Sequence, residues 1–361
     1  MKSVNDQNRQ IVYQFVPYGK QLEPQKDRLV LDVGMKTVPG VIDHHHPQAE
    51  KECTASLIVK HPQLVLDHLY PEGFRPKNEP QPLFIITHRF PDFDAVASIF
   101  LSLKLSEKGE IDDYLEKIAA YTKMIDSARL PKEIDLPSTP YSILRALFKK
   151  IRGDERQINL ARIKEGLIFM NFLYTKAGES YDIFQNRLLF SGIEKYERAM
   201  REAEDDYFDY LLDLKRSLKI KIFLPLISSQ GGKKVDGLIV RNPKSYLLKE
   251  WARRDRENSS FKQGFSFLMT NIRNKRYILG VDPEQKIYLR GLGGLLNQKE
   301  EIKRKEQGRP FNYRWYEGNC PFFNYRIIDS PLDGTRLSHQ EIVDTLLSFS
   351  QNIESKYCLL T

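Results

Sequence analysis

Seven residues in three short segments carry the chemistry this chain can offer. They are Asp32 in LDVG, Asp43, His44 and His45 in VIDHHH, and His88, Asp92 and Asp94 in THRFPDFDAVAS. Each segment closes an aliphatic run (RLVL, TVPGVI, PLFIIT) of the kind that forms a buried parallel strand. In an open parallel sheet, ligands bind beyond the carboxyl ends of the strands. All three runs therefore deliver carboxylate or imidazole to one edge, and four of the chain's seven histidines (44, 45, 46 and 88) fall there. Bunched carboxylates repel one another unless cations neutralise them or protons bind. Hard oxygen donors with imidazole and no thiolate suit manganese, magnesium or iron better than zinc. Two ions sharing a bridging aspartate would clamp a phosphoryl oxygen for hydrolysis. The small residues Ala95, Ala97 and Ser98 let a helix N-terminus come close, where its free N–H groups favour phosphate.

Taken one at a time, these residues have plainer readings. The histidine run fits a solvated loop, Asp92 and Asp94 fit a helix N-cap and its neighbour, and Asp32 fits a turn before Gly34. Their coincidence at three strand ends is what argues for a metal site.

The elements that must position them read as α/β over residues 1–150. Strands are expected at 28–34, 37–43 and 82–88. Residues 53–70 read as mostly helical with a kink at Pro62, and 94–109 as a helix stopped by Gly109. The proline-rich stretch 70–83 reads as a loop. From about 155 to 216 the apolar spacing turns helical and the charge density rises, so 151–216 is expected to be a helical connector. Residues 217–361 return to strands (IKIFLPLIS, VDGLIVR, FSFLMTNI, RYILGVD, KIYLRG), followed by helices near 295–308 and 339–350. The second of these helices opens with a capping box, Ser338 and Glu341. The expected architecture is an α/β metal domain (1–150), the connector (151–216) and a smaller α/β substrate domain (217–361).

Composition agrees with an ordinary globular chain: 361 residues, 41% hydrophobic and 29% charged. No apolar run reaches membrane-spanning length, and the polar start MKSVNDQNRQ lacks a signal-peptide core. Three scattered cysteines (Cys53, Cys320, Cys358) without a CxxC pair point to a reducing cytoplasm. The net charge of +8 favours anionic partners and equally serves solubility.

The motifs resemble those of the DHH phosphoesterase superfamily, which includes exonucleases, nanoRNA and cyclic-dinucleotide phosphodiesterases and family II pyrophosphatases. HRFPDFDAVAS is similar to the family's HxxPDxDAxxS motif, VIDHHH to its DHH motif, LDVG to its lone-aspartate motif and TASLIV to the segment after DHH. The similarity covers about residues 28–130. It implies one ion on His88 and Asp92, a second on His44 and Asp94, and Asp32 bridging them, with Asp126 in YTKMIDSAR as the best match to a further ligand. It also implies that Asp43 orients this set and that His45 faces the substrate phosphate or leaving group. Two ions, Mn2+ with Mg2+ or Co2+ as alternatives, are the implied cofactors. The motif order is permuted here, with the lone aspartate and DHH preceding HRFPDFDA. The family's GGGH signature is missing; LRGLGGLLNQ (289–298) is the nearest glycine-rich stretch.

Substrate contacts are expected from residues 217–361. Arg290, Gly293 and Gly294 read either as a phosphate cradle or as a tight turn into a helix. Arg314 and Trp315, in a segment that interleaves arginines with aromatics, read either as a base-stacking surface or as a core strand pair. Arg241, Lys244, Arg253 and Arg254 are further candidates for a basic wall. The leading functional expectation is hydrolysis of a phosphodiester in a short single-stranded oligonucleotide or signalling dinucleotide. A phosphoanhydride hydrolase acting on polyphosphate or pyrophosphate is the alternative enzyme, and a non-catalytic nucleotide- or metal-sensing module the alternative class. Oligomeric state stays open, a homodimer included.

Overall fold

A computed structural model describes residues 10–73, 82–184, 187–227, 231–272 and 275–358. Most of the loop expected at 70–83 lies outside the described residues. The protein is mixed α/β with two five-stranded sheets, and it divides into two units. The first runs to Leu130 and adds Pro137–Met200 and Cys320–Phe322. The second holds Pro131–Leu136, Arg201–Asn319 and the chain from Phe323 onward.

In the first unit the chain forms β1 (Ile11–Val16), β2 (Arg28–Leu31), β3 (Thr37–Val38), β4 (Val41–Ile42), α1 (Thr54–Lys60), α2 (Gln63–Leu69), β5 (Leu83–His88), α3 (Phe93–Lys108), α4 (Asp113–Asp126), α5 (Pro140–Lys150) and α6 (Glu155–Gly178). The sheet order is β1-β5-β2-β4-β3. β1, β5, β2 and β4 run parallel, so their carboxyl ends share one edge. The single strand expected over 37–43 is instead a hairpin, β3 pairing antiparallel with β4. Pro39-Gly40 makes its turn, with Gly40 at φ 85°, the backbone a type II turn requires at that place. A Cβ on Gly40 would lie 2.4 Å from the His68 ring, so the glycine also admits α2 against the hairpin. Pro62 separates α1 from α2, and Gly109 at φ 80° ends α3, both as expected. β1 gave no clear signal: its six residues are all half-buried and Gln14 interrupts the apolar run, as suits an edge strand.

The stretch expected as a connector is divided between the units. α6 packs on α3 where a Cβ at Gly166 would meet Val96 at 2.5 Å. A mid-helix glycine costs about 1 kcal/mol against alanine; here it lets the two helices approach. The chain leaves the first unit inside α7 (Glu194–Arg216).

The second unit contains β6 (Leu218–Pro225), β7 (Gly232–Arg241), α8 (Leu248–Arg254), β8 (Phe267–Ile272), β9 (Arg276–Val281), α9 (Leu292–Glu306), β10 (Ile327–Asp329) and α10 (His339–Cys358). Its order is β10-β9-β8-β7-β6, antiparallel except for β7 with β8. The strand expected at 286–291 reduces to one bridge between Ile287 and Leu226. Ile287 and Leu289 are buried in the core without a ladder, which explains the misleading alternation. The capping box forms: Ser338 N donates to Glu341 Oε2 at 2.6 Å and Glu341 N to Ser338 Oγ at 3.1 Å.

Ser338→Ala is expected to lower stability by about 1 kcal/mol, read as a shift in the urea midpoint. The backbone and side chain of Ser338, with Lys303, hold the Glu341 carboxyl down to about 2, from an ordinary 4.5. A depressed folded value means that this contribution is complete above pH 4.5 and fades as pH falls towards 2. The gap between wild type and variant should therefore narrow in acid only by the part the Ser338 side chain gives the carboxylate, since the bond from Glu341 N to Ser338 Oγ does not titrate.

Candidate metal centre

Asp32 directly follows β2, Asp43 follows β4, and His88 ends β5. Parallel pairing puts these at one edge, where the sequence predicts them. Asp32 sits at φ 61°, a left-handed backbone that aspartate tolerates better than most residues. Its N–H donates to Ile42 O at 2.9 Å. Three groups of candidate ligands converge among the described residues: Asp32 with Asp43, His44 and His45; Asp32 with His88 and Asp92; and His44 with Asp94 and Asp126. Within each group the ligand atoms lie within 4.8 Å of one another.

The two oxygens of Asp32 address different groups. Oδ2 is 3.2 Å from His88 Nε2, which lies 3.8 Å from Asp92 Oδ1. Oδ1 is 3.5 Å from His44 Nδ1, which lies 3.7 Å from Asp94 Oδ2. His44 Nε2 is 3.3 Å from Asp126 Oδ2. Asp126 is the last residue of α4, so that helix supplies the candidate ligand with the weakest sequence signal.

The surroundings fix these groups in place. Asp94, in the first turn of α3, accepts from Thr54 N and Ala55 N, both at 2.9 Å. It thereby caps α1, whose own N-cap Cys53 makes no side-chain hydrogen bond. Thr54 Oγ1 donates to Asp32 Oδ1 at 3.0 Å and lies 3.1 Å from His44 Nδ1. Asp92 is both the N-cap of α3, accepting from Ala95 N at 3.2 Å, and a ligand candidate. Its two sequence readings thus coexist. Asp43 Oδ2 accepts from Met35 N at 2.6 Å, while Oδ1 lies 2.6 Å from His45 Nδ1. His88 Nδ1 lies 2.9 Å from Arg89 O, a partner that leaves Nε2 turned towards Asp32.

Electrostatics mark the same place. Burial and the charges of Asp32 and Asp126 push the Asp94 carboxyl well above its usual range. Burial, reinforced by neighbouring His45, lowers His44 to about 3 and keeps it neutral, the form a metal ligand needs. Burial opposes the protonation of His88, but hydrogen bonds to Asp32 and Asp92 outweigh it and raise His88 to about 10. Burial likewise opposes His45, and Asp43 overrides it, leaving the imidazole protonated well above its ordinary range. One carboxyl group pushed towards protonation among neighbouring carboxylates and imidazoles forms a donor set that fits divalent cations.

Several contributors escaped the sequence reading. Tyr18, just beyond the end of β1, stacks on His88 with ring centroids 4.0 Å apart, its hydroxyl 3.1 Å from Nε2. Asn159 and Arg162 of α6 hold the loop before Asp92: Asn159 Oδ1 accepts from Phe90 N at 2.7 Å, and Arg162 Nη1 donates to Phe90 O at 3.2 Å. Phe322, in the short segment that belongs to this unit, meets the His44 ring edge-on at 4.9 Å.

The candidates in the second unit fare differently. Trp315 is 2% exposed, packed in the core, and exchanges hydrogen bonds with Asn297 at 2.8 and 3.1 Å. It cannot stack a base, and its aromatic–arginine context marks a core segment. Arg314 is exposed over the Phe311 ring and Arg290 over the Tyr325 ring, so both remain open to solvent. A Cβ at Gly293 would lie 2.3 Å from Glu317 Cγ, and one at Gly294 3.6 Å from Glu317 Oε1. The space beside the first turn of α9 is thus taken by a carboxyl group, where a phosphate cradle needs open amides. Arg253 and Arg254 donate to the carbonyls of Val281 and Pro131, which explains both by packing. Among the described residues no helix is long and apolar enough to cross a membrane.

Compared with protein-family models, curated proteins and solved structures, the chain matches none.

Proposed function

We propose that this chain is a divalent-metal-dependent phosphoesterase of the DHH kind with permuted motif order. Its substrate in this reading is a phosphodiester of a short oligonucleotide or signalling dinucleotide. The observation that carries the reading is Asp32, one carboxylate whose two oxygens face two separate ligand groups. His88 and Asp92 would hold one ion, and His44, Asp94 and Asp126 the other. Bound there, two divalent ions would neutralise the phosphoryl oxygens and supply a water acidified towards neutral pH. Asp43 holds His45 by its Nδ1, leaving the other ring nitrogen to carry a proton to the leaving oxygen. Thr54 fixes the orientation of the Asp32 carboxylate.

The test is to strip the protein with EDTA and titrate Mn2+ while following bound metal, melting temperature and hydrolysis of bis(p-nitrophenyl) phosphate. Two ions per chain are expected. At free Mn2+ of 100 times the dissociation constant, the stabilisation should be about 2.7 kcal/mol for each site filled. Turnover of pyrophosphate but no diester would move the assignment to a phosphoanhydride hydrolase. Metal uptake with no turnover of any phosphate compound would leave a binding module, and absence of uptake would end the metal reading.

A further inference from the structure

The geometry points to a nucleotide subsite beside the metal-binding groups, built by Tyr18, Phe90 and Arg162, that takes a base and the phosphate next to the scissile one. It rests on the phosphodiesterase reading above and selects among its substrates: a nucleotide chain, not a bare phosphate chain.

Phe90 is the first observation. It lies two residues before Asp92, 44% exposed, at φ 57°. A left-handed bulky residue costs on the order of 1–2 kcal/mol and persists only where its surroundings impose it. Here α6 imposes it: Asn159 holds the N–H and Arg162 the carbonyl, with Pro91 O a further 3.5 Å acceptor for Arg162 Nη1. Two side chains from one helix are therefore spent on keeping an aromatic ring in water next to a candidate ligand. Tyr18, 38% exposed, does the same at the neighbouring strand end, stacked on His88. Exposed, rigid aromatic faces at a phosphate-hydrolysing edge suit a base, worth about 1–3 kcal/mol in stacking. Inorganic polyphosphate offers nothing to stack.

Arg162 is the second. Its guanidinium carbon lies 5.6 Å from the Phe90 ring centre and 5.2 Å from that of Phe148, so it is wedged between two rings. Nη1 is committed to the loop carbonyls, while Nε is buried without a hydrogen-bond partner among the described residues. Burial and the like charge of Arg145 on α5 weaken its hold on its proton, and Asp92 and Tyr18 oppose them. Arg145 thus adds positive charge that an incoming phosphate would offset. A planar guanidinium with donors still to give is the side chain that suits a phosphate.

A purely mechanical role for Arg162, fixing the loop so that Asp92 is in place, makes a different prediction: all substrates suffer alike. The experiment compares the dinucleotides pApA and ApA with tripolyphosphate, each with Mn2+, on wild type, Arg162→Gln and Phe90→Leu. Binding of fluorescein-labelled pApA and ApA is measured in parallel in EDTA. Wild type should prefer pApA. Arg162→Gln should lower kcat/KM for pApA about 10–100-fold and affect ApA much less, as expected for one charge-assisted contact. The labelled pApA should lose affinity by a similar factor without metal. Phe90→Leu should weaken both dinucleotides and affect tripolyphosphate least. Equal losses on pApA and ApA, or tripolyphosphate as the best wild-type substrate, would overturn the subsite. If no compound is hydrolysed, the hydrolase reading fails while the EDTA binding still decides this one.

Discussion

Asp32→Asn is expected to leave a folded protein that takes up no pair of Mn2+ ions and hydrolyses phosphodiesters at least about 1,000-fold more slowly. The magnitude follows from the charge stabilisation that bound metal supplies in phosphoryl transfer, several kcal/mol, at 1.36 kcal/mol for each factor of ten. Asparagine is the right replacement because the backbone there is left-handed at φ 61°, a conformation asparagine adopts with little strain. The amide can still accept from Thr54 Oγ1 through its oxygen, now 3.0 Å from the carboxylate. What it cannot do is offer an anionic oxygen to each of two groups at once. The check is metal content by atomic absorption alongside circular dichroism and steady-state kinetics. A variant that still binds two ions per chain would remove Asp32 from the bridging position. His88→Gln would then be the next substitution, since only one of the three groups contains His88.

How much of this was visible in the sequence differs from residue to residue. Asp32, Asp43, His44 and His88 were legible because strand periodicity and the parallel-sheet rule together fix where the ends of apolar runs go. Asp126 was legible only by likeness of motif, since an acidic residue at a helix end has ordinary reasons to be there. Asn159 and Arg162 were not legible at all: they act on Phe90 and Pro91 from some 70 residues away in the chain, and nothing local marks either side chain. The cap that Asp94 places on α1 has the same character, with 40 residues between the partners. Trp315 misled because an aromatic segment with arginines reads alike in a core and on a binding surface. The deciding partners, Asn297 and Glu300, lie on α9. Tyr18 was missed with β1, whose half-buried edge position gives no clean alternation.

The Asp43–His45 pair carries the second large prediction, and leaving-group chemistry makes it specific. His45 Nδ1 is 2.6 Å from Asp43 Oδ1, and that carboxylate, against the pull of burial, raises the imidazole's hold on its proton above the ordinary range. A protonated imidazole near the scissile bond matters most when the departing oxygen is strongly basic, as a ribose alkoxide is. It matters little for p-nitrophenolate, which leaves without help. His45→Gln should therefore reduce kcat for a dinucleotide by about 100- to 10,000-fold, the range for general acid catalysis. Its effect on bis(p-nitrophenyl) phosphate should be much smaller. Asp43→Asn tests the same pair through pH. Burial pulls His45 down, and Asp43, then Asp32 and Asp126, pull it up. With cations neutralising Asp32 and Asp126, Asp43 is the support that remains. Its removal lowers the pKa of His45, so the alkaline limb of the dinucleotide rate profile, where the acid loses its proton, should move to lower pH. The acid limb, set by ionisation of the ligands, should stay in place. Equal losses on both leaving groups, or an alkaline limb that does not move, would assign His45 to substrate or metal binding and leave the protonation of the leaving oxygen to solvent.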